Sequence, residues 1–219
     1  MKRIYPLAAC FIILAFPANG EGEKEPLKLE LPAPTFKGTP QDLPKGSMVE
    51  PLSNKPRPPF MVVKGVMNAA LGKPVATSAK PVVGEPGQIT DGSKEASDEV
   101  LEMRRGTQWI QVDLGGNHEI HAVVMWHDHS SLQVMHDVIV QVCDDPEFKT
   151  DVRTVFNNDL DNSSGQGVGS DREYFETHEG KLVDAKGVKG RYVRAYTRGG
   201  SLGPENAWQE IEVYAIPAP

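Results

Sequence analysis

Gln108-Trp109-Ile110-Gln111-Val112-Asp113-Leu114-Gly115 is the stretch whose reading decides the fold class. Apolar and polar residues alternate along it, which is the period of a strand buried on one face. Near the C-terminus Glu210-Ile211-Glu212-Val213-Tyr214 repeats the pattern. Between and around them the same texture predicts strands over 75–78, 120–126, 136–142, 154–156, 181–183, 192–196 and 210–215. Residues 174–180 read as a short strand or turn. Turn formers separate the runs: Gly84-Glu85-Pro86-Gly87, Asp91-Gly92, Gly115-Gly116-Asn117, Asp144-Asp145-Pro146 and Gly199-Gly200. No convincing amphipathic helix interrupts them. The expectation is an all-β fold, a β-sandwich of about eight antiparallel strands, with Trp109 beneath the sheet. Such folds bind on their loops more often than they do chemistry inside.

Upstream of this block the composition changes. Residues 21–60 hold nine of the eighteen prolines. Proline fixes φ and removes a donor, so 21–65 is read as a proline-rich tether or spacer ahead of a domain over 66–219. Its most apolar piece, Pro58-Pro59-Phe60-Met61-Val62-Val63, is the part most suited to pack on the domain. Residues 1–20 read as a secretory signal peptide. Lys2 and Arg3 precede an apolar stretch too short to span a bilayer, and Ala18-Asn19-Gly20 offers a cleavage site. Leu7-Ala8-Ala9-Cys10 also resembles a lipoprotein box. The apolar stretch runs on past Cys10, however, which favours simple export to periplasm, cell surface or medium.

The chain has a formal charge of −7, and removing Lys2 and Arg3 with the signal makes it −7 − 2 = −9. An acidic exported protein is a poor match for nucleic acid or anionic lipid. After cleavage only Cys143 remains, so no intramolecular disulfide is available and the core must hold the fold. Cys143 ends an apolar run and reads as a small strand residue.

A family resemblance rests on five short motifs in order. Asn68-Ala69-Ala70-Leu71-Gly72-Lys73-Pro74-Val75 is followed by Ile89-Thr90-Asp91-Gly92, then by the stretch at 109–115. Arg191-Tyr192-Val193-Arg194 and Glu210-Ile211-Glu212-Val213-Tyr214 complete the series. Together they resemble discoidin domains, also called coagulation factor V/VIII type C domains, over residues 66–216. The resemblance implies a galactose-binding-like jelly roll, in a family that includes the family 32 carbohydrate-binding modules of exported bacterial proteins. The chain lacks the disulfide that joins the two ends of animal members, and its loops show no apolar spikes for membrane insertion. Both departures point away from lipid and towards carbohydrate.

The resemblance also implies a structural calcium ion held by Asp91 and Glu210, with Ser93 as a third ligand. The backbone carbonyls of Gln88, Ala96 and Gln209 fall in register. Calcium takes six to eight oxygens, and Gly92 permits a sharp turn. Two further groups suit sugar recognition, which needs a flat apolar ring and planar polar groups. One is Trp126 with His127 and His129. The other is Arg198 with Asn206 and Trp208. The bland alternatives are that the tryptophans pack in the core while the histidines and Arg198 are solvated. His127 and His129 form an H-x-H pair that can bind zinc, but no third ligand can be assigned. Asn158 to Gly165 starts like an EF-hand loop yet lacks its glycine and its final glutamate. It reads as a polar Asx-rich loop, with a second cation site as a minor option.

Catalytic signatures are missing: no G-x-S-x-G elbow, no H-E-x-x-H and no phosphate-cradling glycine loop. The sequence therefore predicts an exported non-catalytic module that binds a glycan or glycoconjugate through loops at one end of the sandwich. The alternative is a protein–protein interaction domain at the cell surface or in an envelope complex.

Overall fold

The computed structural model describes residues 22–35, 48–53 and 55–218. The predicted signal peptide and Cys10 lie outside these residues. Twelve strands follow in chain order: β1 (Lys24–Pro26), β2 (Met61–Val63), β3 (Met67–Asn68), β4 (Val75–Thr77), β5 (Leu101–Met103) and β6 (Gln108–His127), then β7 (Val134–Met135), β8 (Ile139–Cys143), β9 (Arg153–Asn157), β10 (Tyr174–Phe175), β11 (Lys181–Thr197) and β12 (Asn206–Pro217). One 3-10 turn, Pro86–Thr90, is the only helical element among the described residues. Among the described residues no helix is long and apolar enough to cross a membrane.

The fold is all-β, with β3, β12, β6, β11, β8 and β9 as successive antiparallel neighbours, β4 joined to β6 and β5 to β12. Two pairs of runs that read as separate strands are single long ones. Gly115-Gly116-Asn117 does not reverse the chain. The ladder runs from His118 opposite Gly190 to Asp113 opposite Tyr192, so 114–117 swell out as a bulge and β6 continues. A second bulge, at 185–187 of β11 itself, likewise lets that strand continue. Conversely, the run over 136–142 becomes strand only from Ile139, the start of β8, because Asp137 adopts φ 51° and breaks the chain between β7 and β8.

The alternation that predicted the strands fills the core. Ile110, Val112 and Leu114 of β6, Val193 and Ala195 of β11, and Ile211 and Val213 of β12 are all within 1% of full burial in one cluster. Two of the resembling motifs are each other's partners, because Arg194 lies opposite Gln111 and Tyr192 opposite Asp113. Asp113 takes a two-pronged pair from Arg191 at 2.7 and 2.8 Å. Trp109 departs from expectation. It is only half-buried, and its ring stacks on the Arg194 guanidinium at 4.2 Å while Phe148 covers the other side at 4.0 Å. Cys143 is buried at its strand end, with Sγ donating to the Thr150 carbonyl at 3.0 Å.

The described part of the tether is not a spacer. β1 pairs with β2, and the Leu27 amide donates to the Phe60 carbonyl at 2.7 Å. Leu27, Leu29, Phe60 and Val66 then cover a second apolar cluster of Ala122, Val124, Trp126 and Tyr214 on the outer face of β6 and β12. Further along, the Glu50 amide donates to the Glu173 carbonyl at 2.8 Å and Glu173 returns the bond to Met48 at 2.9 Å. Prolines suit this path because a strap lying across side chains needs few backbone donors. Protein lacking residues 1–60 is expected to bind a hydrophobic dye that the full chain does not. Its thermal midpoint should fall by roughly 10 °C, since half-burial of three large side chains is worth about 1 kcal/mol each. Equal dye binding by the two forms would show that the strap covers nothing that matters.

Candidate functional site

The six side chains expected at the ligand face divide five to one. Trp126, His127, His129, Asn206 and Trp208 are fully buried, whereas Arg198 is exposed and reaches only to within 4.0 Å of Asp137. No ring of either tryptophan is open for a sugar to stack on, which corrects the expectation for these five residues. Their jobs are internal. Trp126 donates from Nε1 to the His178 carbonyl at 2.9 Å. His127 Nδ1 and Glu176 Oε2 are hydrogen-bonded at 2.9 Å, with the Trp208 ring 4.4 Å from the imidazole. His129 Nε2 is bonded to the Lys94 carbonyl at 2.9 Å. Asn206 is a brace: its amide donates to the carbonyls of Arg104 at 2.6 Å and Gly106 at 2.9 Å, and its oxygen accepts from Thr197 and from the Gly199 amide. These bonds offset part of the cost of burial, while His127 Nε2, His129 Nδ1 and Trp208 Nε1 have no hydrogen-bond partner.

The two histidines do not gather a zinc site. Among the described residues, Asp137, Asp159 and Asp161 are the one group of three metal-ligating side chains with converging atoms. Two of the trio belong to the Asx-rich loop, and Asp137 comes from the break between β7 and β8. Ser163 donates its hydroxyl to Asp137 at 2.6 Å, and Asp159 accepts the amides of Ser163 at 3.0 Å and Ser164 at 2.8 Å. Burial, reinforced by Asp159 and Asp161, holds the Asp137 carboxyl above its usual range.

The turn that follows Asp91 is brought against Glu210, while Asp91 itself is exposed and accepts the Ser93 amide at 2.8 Å. β12 carries a bulge at Gln209, between Trp208 opposite His127 and Glu210 opposite Trp126, so Gln209 is left out of the ladder. Next to it Glu210 is fully buried. Its Oε1 accepts the Gly92 amide at 3.2 Å, and its Oε2 has no partner. Lys94 pairs instead with Glu212 at 2.8 Å and also donates to the Gly92 carbonyl at 3.3 Å. Burial, with Glu212 and Asp91 nearby, pushes the Glu210 carboxyl up to about 9, against the pull of Lys94 and the Gly92 amide. With Glu210 protonated, one negative charge is left over between Asp91, Glu212 and Lys94; ionising Glu210 would add a second. Oxygen donors that include an orphaned carboxylate oxygen, with a proton that a cation could replace, have the chemistry a calcium ion takes. Ser93 is placed less aptly, because its hydroxyl donates to Asp98 at 2.5 Å.

A cleft of about 540 Å³ lies where no sequence signal pointed. One wall is the strap, residues 50–53 and 55–58; the other runs from Tyr174 to Leu182. Trp126 is the post behind it. Its bond to His178 holds the second wall against β6, and Gly180 passes so close that a Cβ there would sit 2.6 Å from the indole. Arg57 ties the walls together, donating to the carbonyls of Glu179 at 2.9 Å and Gly180, while its amide bonds the Glu179 carboxylate at 3.2 Å. Lys181 does the same from the other side through Glu50 at 2.5 Å, with its ammonium 4.8 Å from the Tyr174 ring.

No family model matches the sequence, and no curated protein matches it significantly. Solved structures do. A fucose-binding module from Streptococcus pneumoniae is 20% identical over 71% of this chain and 99% of its own, with a TM-score of 0.50. A family 89 glycoside hydrolase from Clostridium perfringens is 16% identical over 69% of this chain and 15% of its own, also at 0.50. A truncated AlyQ with CBM32 and alginate lyase domains is 19% identical, over 70% and 34%, at 0.50. The fold is that of the discoidin-like, galactose-binding-like modules. Within this discoidin-like fold the tryptophans and Asn206 frame the loops, and the strap is laid over the outer face.

Glu210 makes stability depend on pH. The folded carboxyl keeps its proton up to about 9, while an unfolded glutamate releases it near 4.5. The folded state therefore binds the extra proton between those values, and stability falls as pH rises through the window. In chelator, the wild-type thermal midpoint is expected to drop between pH 5 and 9 by more than that of Glu210→Gln. Parallel curves for the two proteins would show that Glu210 is ionised at no cost.

Proposed function

We propose that this chain is an exported, non-catalytic module that recognises carbohydrate, with a calcium ion as a structural part of the fold. The carrying observation is the discoidin-like fold, the fold of a fucose-binding module similar to this chain along almost its whole length. Export rests on the reading of residues 1–20. The absence of catalytic motifs in the sequence fits binding rather than turnover. Calcium would be held by Asp91 and Glu210, with the Gln209 carbonyl freed by its bulge. There it would take the place of the Glu210 proton and fasten the 91–98 loop to the last strand. One such site gives modest affinity, which clustering or attachment to other modules would raise by avidity.

The full mature chain applied to a glycan array with calcium is expected to bind a defined class of sugar. A blank array with a folded protein would move the reading to a protein partner. Calcium at a hundredfold excess over its Kd is expected to stabilise the wild type by roughly 2.7 kcal/mol. Asp91→Asn and Glu210→Gln should each lose that gain, as read by calorimetry. An equal gain in both variants would place any calcium elsewhere.

A further inference from the structure

The cleft between the strap and the β10–β11 segment is built more elaborately than packing the strap requires. Its lining mixes apolar surface with fixed polar groups, the make-up of small-molecule sites of this size. Phe175, Leu132 and Leu182 supply the apolar part, while Thr177, Ser53 and His178 supply hydroxyl and ring-nitrogen partners. The charges are the informative part. Lys181 is held by Glu50, and Arg57 is committed to Glu179 and to two backbone carbonyls. Lys55 lies exposed at the rim. A ligand with its own charge would have to compete with pairs that also hold the two walls together. A neutral polyhydroxyl ligand would not. It could lay a C–H face against the aromatic wall and share hydrogen bonds with the polar groups.

We infer that this cleft is the carbohydrate site of the protein, that it takes an uncharged sugar, and that the strap upstream of the sandwich is half of it. The inference rests on the glycan-binding reading above and adds where the sugar lies and what charge it carries. It moves the site from the loops around Arg198 to the seam between strap and β-sheet. It also gives the strap a second task, because a sugar bound there bridges the upstream segment to the domain and slows their separation.

The test uses the full mature chain and a panel of galactose, fucose, N-acetylglucosamine, glucuronate and glucosamine. Titration calorimetry gives affinity, and hydrogen exchange gives location. One of the neutral sugars is expected to bind, and its binding should slow exchange in 50–58 and 174–182. Ser53→Trp, which fills the cleft from an exposed strap position, and Phe175→Ala, which removes the aromatic wall, should each weaken binding by roughly tenfold or more. Ser53→Trp should leave the thermal midpoint unchanged, which separates blockage from unfolding. Lys149→Ala, a distant surface change, should bind as wild type. Sugar binding that survives both cleft variants, or that Arg198→Ala alone abolishes, would overturn the location and leave the glycan reading standing. Preference for glucuronate or glucosamine would overturn the charge argument. No binding to the panel or to the array would remove the site and the reading together.

Discussion

The last strand has to return to the middle of the sheet, and the structure is arranged around that requirement. β12 pairs with β6 along one edge and with β3 and β5 along the other. It therefore joins the beginning of the domain to its longest strand without a disulfide. Ile211 and Val213 fill the core from it, and Tyr214 presents its other side to the strap. The same placement carries Glu210 and Glu212 into a buried position. Burying two adjacent carboxylates on one strand is expensive, and one ammonium from Lys94 meets only part of the cost. The 91–98 loop with its lysine and its Gly92 amide is the local answer to a problem that topology creates.

That arrangement explains why aromatic and imidazole groups suited to sugar contact sit inside. β6 ends at Trp126 and His127, where β12 begins with Asn206 and Trp208, and the two ends face each other. Side chains there are enclosed by the loops that cross above them. Trp208 lies against His127, and Glu176 closes the far side. The end of the sandwich is thereby stiffened, and the surface cleft opens beside it, over the back of Trp126. A tryptophan that does not touch a ligand can still set the position of the wall that would.

Much of the fold was legible because strand alternation is a local signal with a global cause. The runs at 109–114 and 210–215 could be placed since the core face takes an apolar side chain at every second position, although the other face of 210–215 is covered as well. What failed was the reading of interruptions. Gly115-Gly116-Asn117 has turn chemistry, yet the ladder resumes beyond it, and only the partner strand decides whether glycine makes a turn or a bulge. Asp137 ends a strand with no glycine or proline to announce it. For the site, the family resemblance paired Asp91 with Glu210, and the structure brings the turn that follows Asp91 onto the buried Glu210 carboxylate. Trp126, Trp208 and Asn206 were misplaced because residue type does not encode exposure. An indole serves a core or a sugar equally well, and an amide braces loops as readily as it binds hydroxyls. Proline density hid the strap, since it removes backbone donors without saying whether side chains between the prolines find a surface.

The strap also changes what counts as one module. A discoidin-like unit is commonly thought of as a self-contained bead that can be strung between other domains. Here the bead is open along one flank, and the cover comes from sequence that precedes its first core strand by some forty residues. Moving this unit into a new host, or recognising its boundaries in a larger protein, would mean carrying that cover with it. The unit of inheritance is then the strap and sandwich together, and the proline-rich stretch would be under selection for its side chains as well as for its length.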